Sequence, residues 1–418
     1  MLMSHQLHRE GTCAMARILE HHAKQIFSQA GISIPEGHPA ISADQAATVA
    51  EGIDGSVVIK ALVPIGKRGE SGAVQFAEDS RGASIAARDL IGRYIGAYMI
   101  DTLLIEERVD VARELYLSII IDRDERRPRV ILSASGGVSI EQIARQQPDA
   151  IVTEPVSIIR GLPEYRAREL WVAAGVNGPA LPHLGRATAI AWDLFVRHDL
   201  RLIEINPLFQ TNDDRIVAGD AVLSVDDSAL FRHPELARLT VPGTDRSWRP
   251  LTELEIAAQH LQDADPYRGS ARYLELQGGD LGFLCGGGGA SLLLFDHLVR
   301  AGGHPANYAE IGGNPTELKV AGMTRLVLSK PGVRAIFIAH NITNNTQTDV
   351  IARGVVSGIR QAGFDPSSLP VVAREAGLHD DEGRRIFEEA GIRYFGEETT
   401  LAQAAREMVT MMTTGGGR

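Results

Sequence analysis

The sequence predicts an α/β protein in two parts: an α+β half of antiparallel character, then a doubly wound parallel sheet. Three observations carry that expectation. The first half holds several short β-branched runs separated by polar turns, the pattern of paired strands. The second half repeats one order three times, strand, turn, helix, and strands that alternate with helices imply a parallel sheet. Between the halves lies "TVPGTDRSWRPLTE", whose proline, glycine and charge mark a linker. These readings place domains at residues 15–240 and 256–418, a linker at 241–255 and a polar, flexible extension at 1–14.

Taken in order, "ARILEHHAKQIFSQAGI" is read as an amphipathic helix, with Ile18, Leu19, Ile26 and Phe27 at helical spacing and a glycine stop. "GSVVIKALV" reads as a strand, followed by the basic glycine turn "GKRGESGAV". "TLLIEE", "ELYLSIIID" and "RPRVILSA" continue as strands, and "RLIEINPLFQ" with "RIVAGDAVLS" forms a hairpin across the polar turn "TNDD". In the second half, "LGFLCGGGGASLLLFDHLVRAGG", "GVRAIFIAHNITNNTQTDVIARGVVSGIRQAG" and "LPVVAREAG" with "DEGRRIFEEAGIRYF" each run from strand through a turn to a helix. Ligands of such sheets sit beyond the carboxyl ends of the strands. Loops at 286–291, 340–349 and 374–377 therefore converge on one place.

Composition narrows the function. The 418 residues, 44% hydrophobic and 23% charged, describe an ordinary globular protein. A net charge of −11 argues against nucleic acid or an anionic membrane as the main partner. Cys13 and Cys285 are the two cysteines, too few for a disulfide framework, which fits a reducing cytoplasm. No apolar run approaches the ~18–20 residues that span a bilayer. The 43 glycines are clustered, as in "GGGGAS", and such clusters let backbone approach a ligand closely.

One constellation suggests chemistry: Lys60, the turn Lys67, Arg68 and Gly69, then Glu106, Glu114, Glu204, Asn206 and Asp220. A lysine at a strand end beside a basic glycine turn can hold polyphosphate through ammonium charge and backbone N–H groups. "EINP" sets Glu204 and Asn206 on one face of a strand, because strand side chains alternate. Asp220, expected on the returning strand of the hairpin, could share a cation with Asn206. Oxygen ligands from Asn and Asp suit Mg²⁺, which keeps water and phosphate in its shell. Each residue alone reads equally as a solvated side chain.

The whole set resembles the ATP-grasp domain of succinyl-CoA synthetase β chains, through "HHAKQIFSQAGISIP", "VVIKALV", "GKRGESGAV", "LLIEERVDVARELYLSIIIDR", "SASGGVSIEQIA", "LIEINPLF" and "DDSALFRHPEL". "GGHPANYAEIGGNPTE", "AIFIA" and "DVIARGVVSGI" extend the resemblance, in order, to about residues 16–408. It implies an ATP-grasp domain followed by a flavodoxin-like CoA-ligase domain. It also implies the large chain of an ADP-forming carboxylate–CoA ligase using ATP, CoA and Mg²⁺. Lys60, Lys67, Arg68, Gly69, Glu106, Val109 (through its backbone) and Glu114 would hold ATP; Asn206 and Asp220 would hold Mg²⁺; Glu204 would serve the phosphoryl transfer. The transferred phosphate would pass to a histidine on an α-type partner, since His304 in "GGHPAN" and the pair His21 and His22 read as structural or solvated. No GxGxxG fingerprint for a CoA-binding domain is visible.

The resemblance divides at the loops that would meet the acid. Succinate-specific chains carry an Asn before the first-loop glycines, where this chain has Gly286, and a "GGIVR"-like stretch where it has "TNNTQ". "CGGGGASLLLFD" and "ANYAEIGG" look more like the citrate-activating part of ATP-citrate lyase, as do Asn344 and Thr346. Arg374 matches a third-loop arginine, but the second arginine of the citrate type is replaced by Glu375. Gly286, Gly287, Gly288, Thr343, Asn344, Asn345, Thr346 and Arg374 are thus expected to choose the acid: citrate or another polar acid such as malate, sulfoacetate or a substituted succinate. Plain succinate, or a regulatory chain without turnover, are the alternatives. The same polar run reads equally as a cap for the helix that follows, with residues 346–349 as N-cap candidates.

Overall fold

The structure is a computed structural model that describes residues 16–65, 71–137, 140–146, 148–241, 249–286 and 288–414. The extension at 1–14, Lys67, Arg68, Gly69 and Gly287 lie outside the described residues. Contacts divide the chain into two units, Met1–Pro250 and Leu251–Arg418. No helix among the described residues is long and apolar enough to cross a membrane.

The strands of the first unit are β1 (Ala16–Ile18), β2 (Gly37–Ala40), β3 (Val57–Ala61), β4 (Val74–Ala77), β5 (Tyr94–Ile95), β6 (Tyr98–Met99), β7 (Leu103–Glu107), β8 (Val111–Asp122), β9 (Arg127–Ser133), β10 (Ile151–Pro155), β11 (Leu200–Thr211), β12 (Ile216–Ala218) and β13 (Val222–Val225). They form a small sheet, β2-β7-β3-β4, a large one, β1-β13-β11-β8-β9-β10, with β12 also on β11, and the two-stranded ribbon β5-β6. All three are antiparallel. Alternation decides their faces. On β8 and β11, Leu115, Leu117, Ile119, Ile203 and Ile205 are buried against the helices Glu164–Ala173 and Leu181–Arg197. Glu114, Tyr116, Ser118, Glu204 and Asn206 alternate with them, and so take the other face. The alanine-rich helices Ala43–Gly52 and Ser80–Leu90 cover the small sheet. Ser42 and Asp79 start them, accepting from the Gln45 and Gly82 N–H groups at 3.2 and 2.7 Å.

Two expectations change here. Ala16, Arg17 and Ile18 are a strand rather than a helix start: they pair with Val225, Ser224 and Leu223, and the helix begins at Glu20. Their apolar residues fit either period over so short a run, and the sheet edge decides. The returning strand of the hairpin is broken into β12 and β13, both on β11, and Asp220 sits in the break.

The second unit contains β14 (Ser270–Glu275), β15 (Leu281–Cys285), β16 (Asn307–Gly312), β17 (Ala335–Gln347), β18 (Val371–Leu378) and β19 (Arg393–Phe395), ordered β14-β16-β15-β17-β18-β19. All neighbours run parallel except β14, which is antiparallel to β16 at the edge. Parallel strands are covered on both faces and read as continuous apolar runs. Here Val320, Val355 and Ile359 belong to one core, Leu294, Leu298 and Met408 to another. The polar stretch expected as a loop continues the strand: β17 runs to Gln347, and the next helix starts at Thr348. Gln347 stands at the N-cap without a side-chain cap bond, so capping does not account for the polar run. Arg374 to Gly377, also expected as a loop, lie within β18. Hydrogen bonding to a neighbouring strand holds both segments extended although their side chains are polar.

Candidate functional site

In the first unit, β3 and β7 bring Lys60 and Glu106 side by side, with Val58 opposite Glu106 and Lys60 opposite Leu104. Lys60 Nζ meets Glu106 Oε1, Glu20 Oε1 at 3.1 Å and the Gly219 carbonyl at 2.6 Å. Lys24 Nζ meets the same three residues: Glu106 Oε2 at 2.5 Å, Glu20 Oε1 at 2.9 Å and Gly219 O at 2.9 Å. An ammonium has three N–H donors, and each lysine has three oxygens against it. Burial pushes the Lys60 pKa down, but Glu106, Glu20 and Asp220 outweigh it and raise the value above the ordinary lysine range. Glu20 and Lys24 escaped the sequence reading; their signal was an acid and a base four apart on the first helix.

The polar face of the large sheet gathers the rest. Gly137 N–H donates to Asn206 Oδ1 at 2.9 Å, and Gly136 N–H to the Glu114 carbonyl at 2.9 Å. Gly137 has a φ of +74°, which favours glycine, and a Cβ there would stand 1.8 Å from Glu114 Oε2 and push that carboxylate aside. Tyr116 donates to Glu204 Oε2 at 3.2 Å. Gly219 and Asp220 N–H groups both donate to the Pro207 carbonyl, at 3.0 and 3.4 Å. That places Asp220 beside the turn carrying Asn206. An amide and a carboxylate oxygen beside the break in the hairpin fit a hard divalent cation that completes its shell with phosphate and water. Val109 follows β7, half-buried.

In the second unit a cleft of ≈ 790 Å³ is lined by Gly286, Gly288, Thr343, Asn344, Asn345 and Thr346, together with Arg272, Glu310 and His340. Its wall is hydrogen-bonded. Ser291 Oγ meets Tyr308 Oη at 2.5 Å and Glu310 Oε1 at 2.9 Å, and Tyr308 donates to Glu310 at 2.6 Å. Burial, then the Glu310 bond, pushes the Tyr308 pKa up. Thr343 Oγ1 reaches the Thr346 and Ala376 carbonyls at 3.0 and 3.1 Å, while Thr346 Oγ1 accepts from Asn314 N–H at 3.3 Å. Arg374, 4% exposed, stands behind the wall, donating to the His340 and Thr399 carbonyls at 2.8 and 3.2 Å. Sequence reasoning missed His340 and the role of Glu375. The available signal was a histidine and a glutamate that each directly follow an apolar strand run or its arginine, in "AIFIAH" and "VVARE".

These sites can be set against known proteins. Residues 17–210 match the ATP-grasp domain model, and residues 252–411 match the model described as ATP citrate lyase citrate-binding. The chain is 36% identical, over 400 residues, to a succinate–CoA ligase [ADP-forming] subunit beta from Rubrobacter xylanophilus, covering 96% of this chain and 99% of that one. It belongs to that family. The corresponding subunit of Chloroflexus aurantiacus is 34% identical over 395 residues, covering 94% and 98% of the two chains. Among solved structures, ATP citrate lyase from Methanothrix soehngenii, in complex with citrate and coenzyme A, superposes with a TM-score of 0.73 at 20% identity. That comparison covers 95% of this chain and 100% of the other, and establishes a shared fold. The family is one of ADP-forming CoA ligases, enzymes using ATP, CoA and Mg²⁺. An ATP-grasp domain followed by a parallel-sheet domain is the architecture found here.

Proposed function

We propose that this chain is the ATP-grasp subunit of an ADP-forming acid–CoA ligase whose acid is citrate or another acid richer in polar groups than succinate. The observation that carries the choice of acid is the cleft of the second unit, walled by Thr343, Asn344, Asn345, Thr346 and His340. Amides, hydroxyls and an imidazole supply donors and acceptors for oxygens beyond the reacting carboxylate. The match of residues 252–411 to a citrate-binding model supports the same choice.

In this reading Lys60, Glu106, Val109 and Glu114, with Lys67, Arg68 and Gly69, serve ATP, and Asn206 and Asp220 hold Mg²⁺. The metal, when bound, neutralises phosphate charge. Glu204, braced by Tyr116, lies at the transfer centre. The γ-phosphoryl group leaves ADP for a histidine of an α-type partner, passes to the carboxylate as an acyl phosphate, and is released as phosphate when CoA thiolate attacks. Such transfers rest on position and electrostatics.

The test is a panel of succinate, citrate, malate and sulfoacetate, assayed for ADP formation with ATP, CoA, Mg²⁺ and the co-expressed partner. Citrate or another polar acid should exceed succinate. Succinate as best substrate, the reading favoured by the Rubrobacter and Chloroflexus relatives, overturns the choice of acid. No ADP with any acid overturns the ligase assignment.

A further inference from the structure

His340 and Glu375 form a buried pair within the adjacent strands β17 and β18, 2% and 1% exposed. His340 Nδ1 lies 2.7 Å from Glu375 Oε1. Arg374 holds the same peptide from behind, donating to the His340 carbonyl. The other ring nitrogen is different. His340 Nε2 is buried and forms no hydrogen bond of ordinary geometry among the described residues, the Ile311 backbone offering the ring only a weak one. A buried polar atom left in that state is costly unless something arrives to satisfy it.

Gly286 shows where such a partner would come from. A Cβ at Gly286 would stand 2.4 Å from His340 Cδ2 and 3.2 Å from Nε2. The imidazole therefore occupies the space that any side chain at 286 would need, under the first glycine of the loop and on the wall of the cleft. The fixed tautomer follows from the bond to Glu375, as in other histidines backed by a carboxylate. Glu310 and Arg272 are further charged side chains on that wall.

We propose that His340 selects the acid: Nε2, backed by Glu375 through Nδ1, donates a hydrogen bond to a carboxylate oxygen of the substrate, and position 286 is glycine because the ring stands in its place. This rests on the acid–CoA ligase reading and names the residue within the cleft that decides among acids. Glu375 is a positioning residue, holding the ring without touching substrate.

The full chain with its partner provides the test, with His340→Ala, His340→Asn and Glu375→Gln. Phosphorylation of the partner by Mg·ATP without acid reports the intact nucleotide site and should stay within about twofold of wild type. KM for citrate, or for the panel acid used best, should rise roughly ten- to a hundredfold in His340→Ala, the value of a lost charge-assisted hydrogen bond. His340→Asn, which keeps an N–H donor, should recover part of it, and Glu375→Gln should raise acid KM more than it lowers kcat. An unchanged acid KM, or parallel losses for acid and ATP, overturns the proposal. If the wild-type pair proves inactive with every acid, calorimetric titration of citrate into the chain decides separately. Heat lost in His340→Ala supports the role, while equal heats, or none with wild type, overturn it.

Discussion

Two buried charged clusters, one in each unit, are built to opposite ends. In the first, Lys24 and Lys60 each meet two carboxylates and one carbonyl, so three oxygens stand against each ammonium group. In the second, the His340–Glu375 pair engages one ring nitrogen and leaves the other buried without a hydrogen bond of ordinary geometry, and Thr348 Oγ1 and Asp349 Oδ1 nearby in sequence share that state. Equal burial thus accompanies unequal satisfaction. The first cluster ties the first helix, the small sheet and the β12–β13 break together. The second holds polar capacity in reserve beside a cleft.

The comparison can be broken from the framework side first. Glu106→Ala leaves two buried ammonium groups sharing Glu20, and removing one partner of a buried ion pair costs about 3–5 kcal/mol. Urea unfolding of the variant should show a loss of that size; a loss below about 1 kcal/mol would mean the cluster is solvated in practice. Asp220→Ala should reduce Mg·ATP-dependent phosphorylation of the partner by more than about a hundredfold with little change in melting. Retained phosphorylation would remove Asp220 from the metal site.

On the recognition side, Gly286→Ala forces a methyl group against the imidazole and should cost about 1–3 kcal/mol as overpacking. Adding His340→Ala should return most of it, and additive losses would show that the two positions are independent. The smallest effect concerns pH. Burial lowers the His340 pKa, but Glu375 outweighs it, with Arg374 opposing, and the folded value is raised. Stabilisation from this group is therefore complete below the unfolded value of about 6.5 and is lost as pH rises through the folded one. Wild type should lose more stability than Glu375→Gln from about pH 6 to about pH 9 in urea titrations; equal slopes would show that the ring carries no charge.

Much of this was legible in the sequence because it is written in local periods. The alternation of Ile203 and Ile205 with Glu204 and Asn206 marks a two-faced strand, and "LGFLC" marks a strand buried on both faces. The fold class, an antiparallel α+β half followed by a parallel-sheet half, was open to reading for that reason, while the family was open through the run of motifs that resemble it. What was hidden depends on contacts distant along the chain. Nothing local in "ARI" says that it pairs with Val225, and nothing in "HNITNN" says that β18 will hold it extended. Lys24 looked like an ordinary helix residue until Glu106 and Gly219 closed around it. His340 stood in a run judged polar as a whole, and its burial separates it from neighbours that face outward.

The contact between Gly286 and His340 also fixes an order of inheritance. An ancestor exchanging one acid for another could not enlarge position 286 while the imidazole stood in its way. The ring had to shrink first, leaving a cavity that a later side chain at 286 could fill. Change in the opposite order passes through an overpacked pair, at a cost of about 1–3 kcal/mol for the smallest side chain. Chains that differ at both positions are thus joined, in either direction, through an intermediate that is small at both.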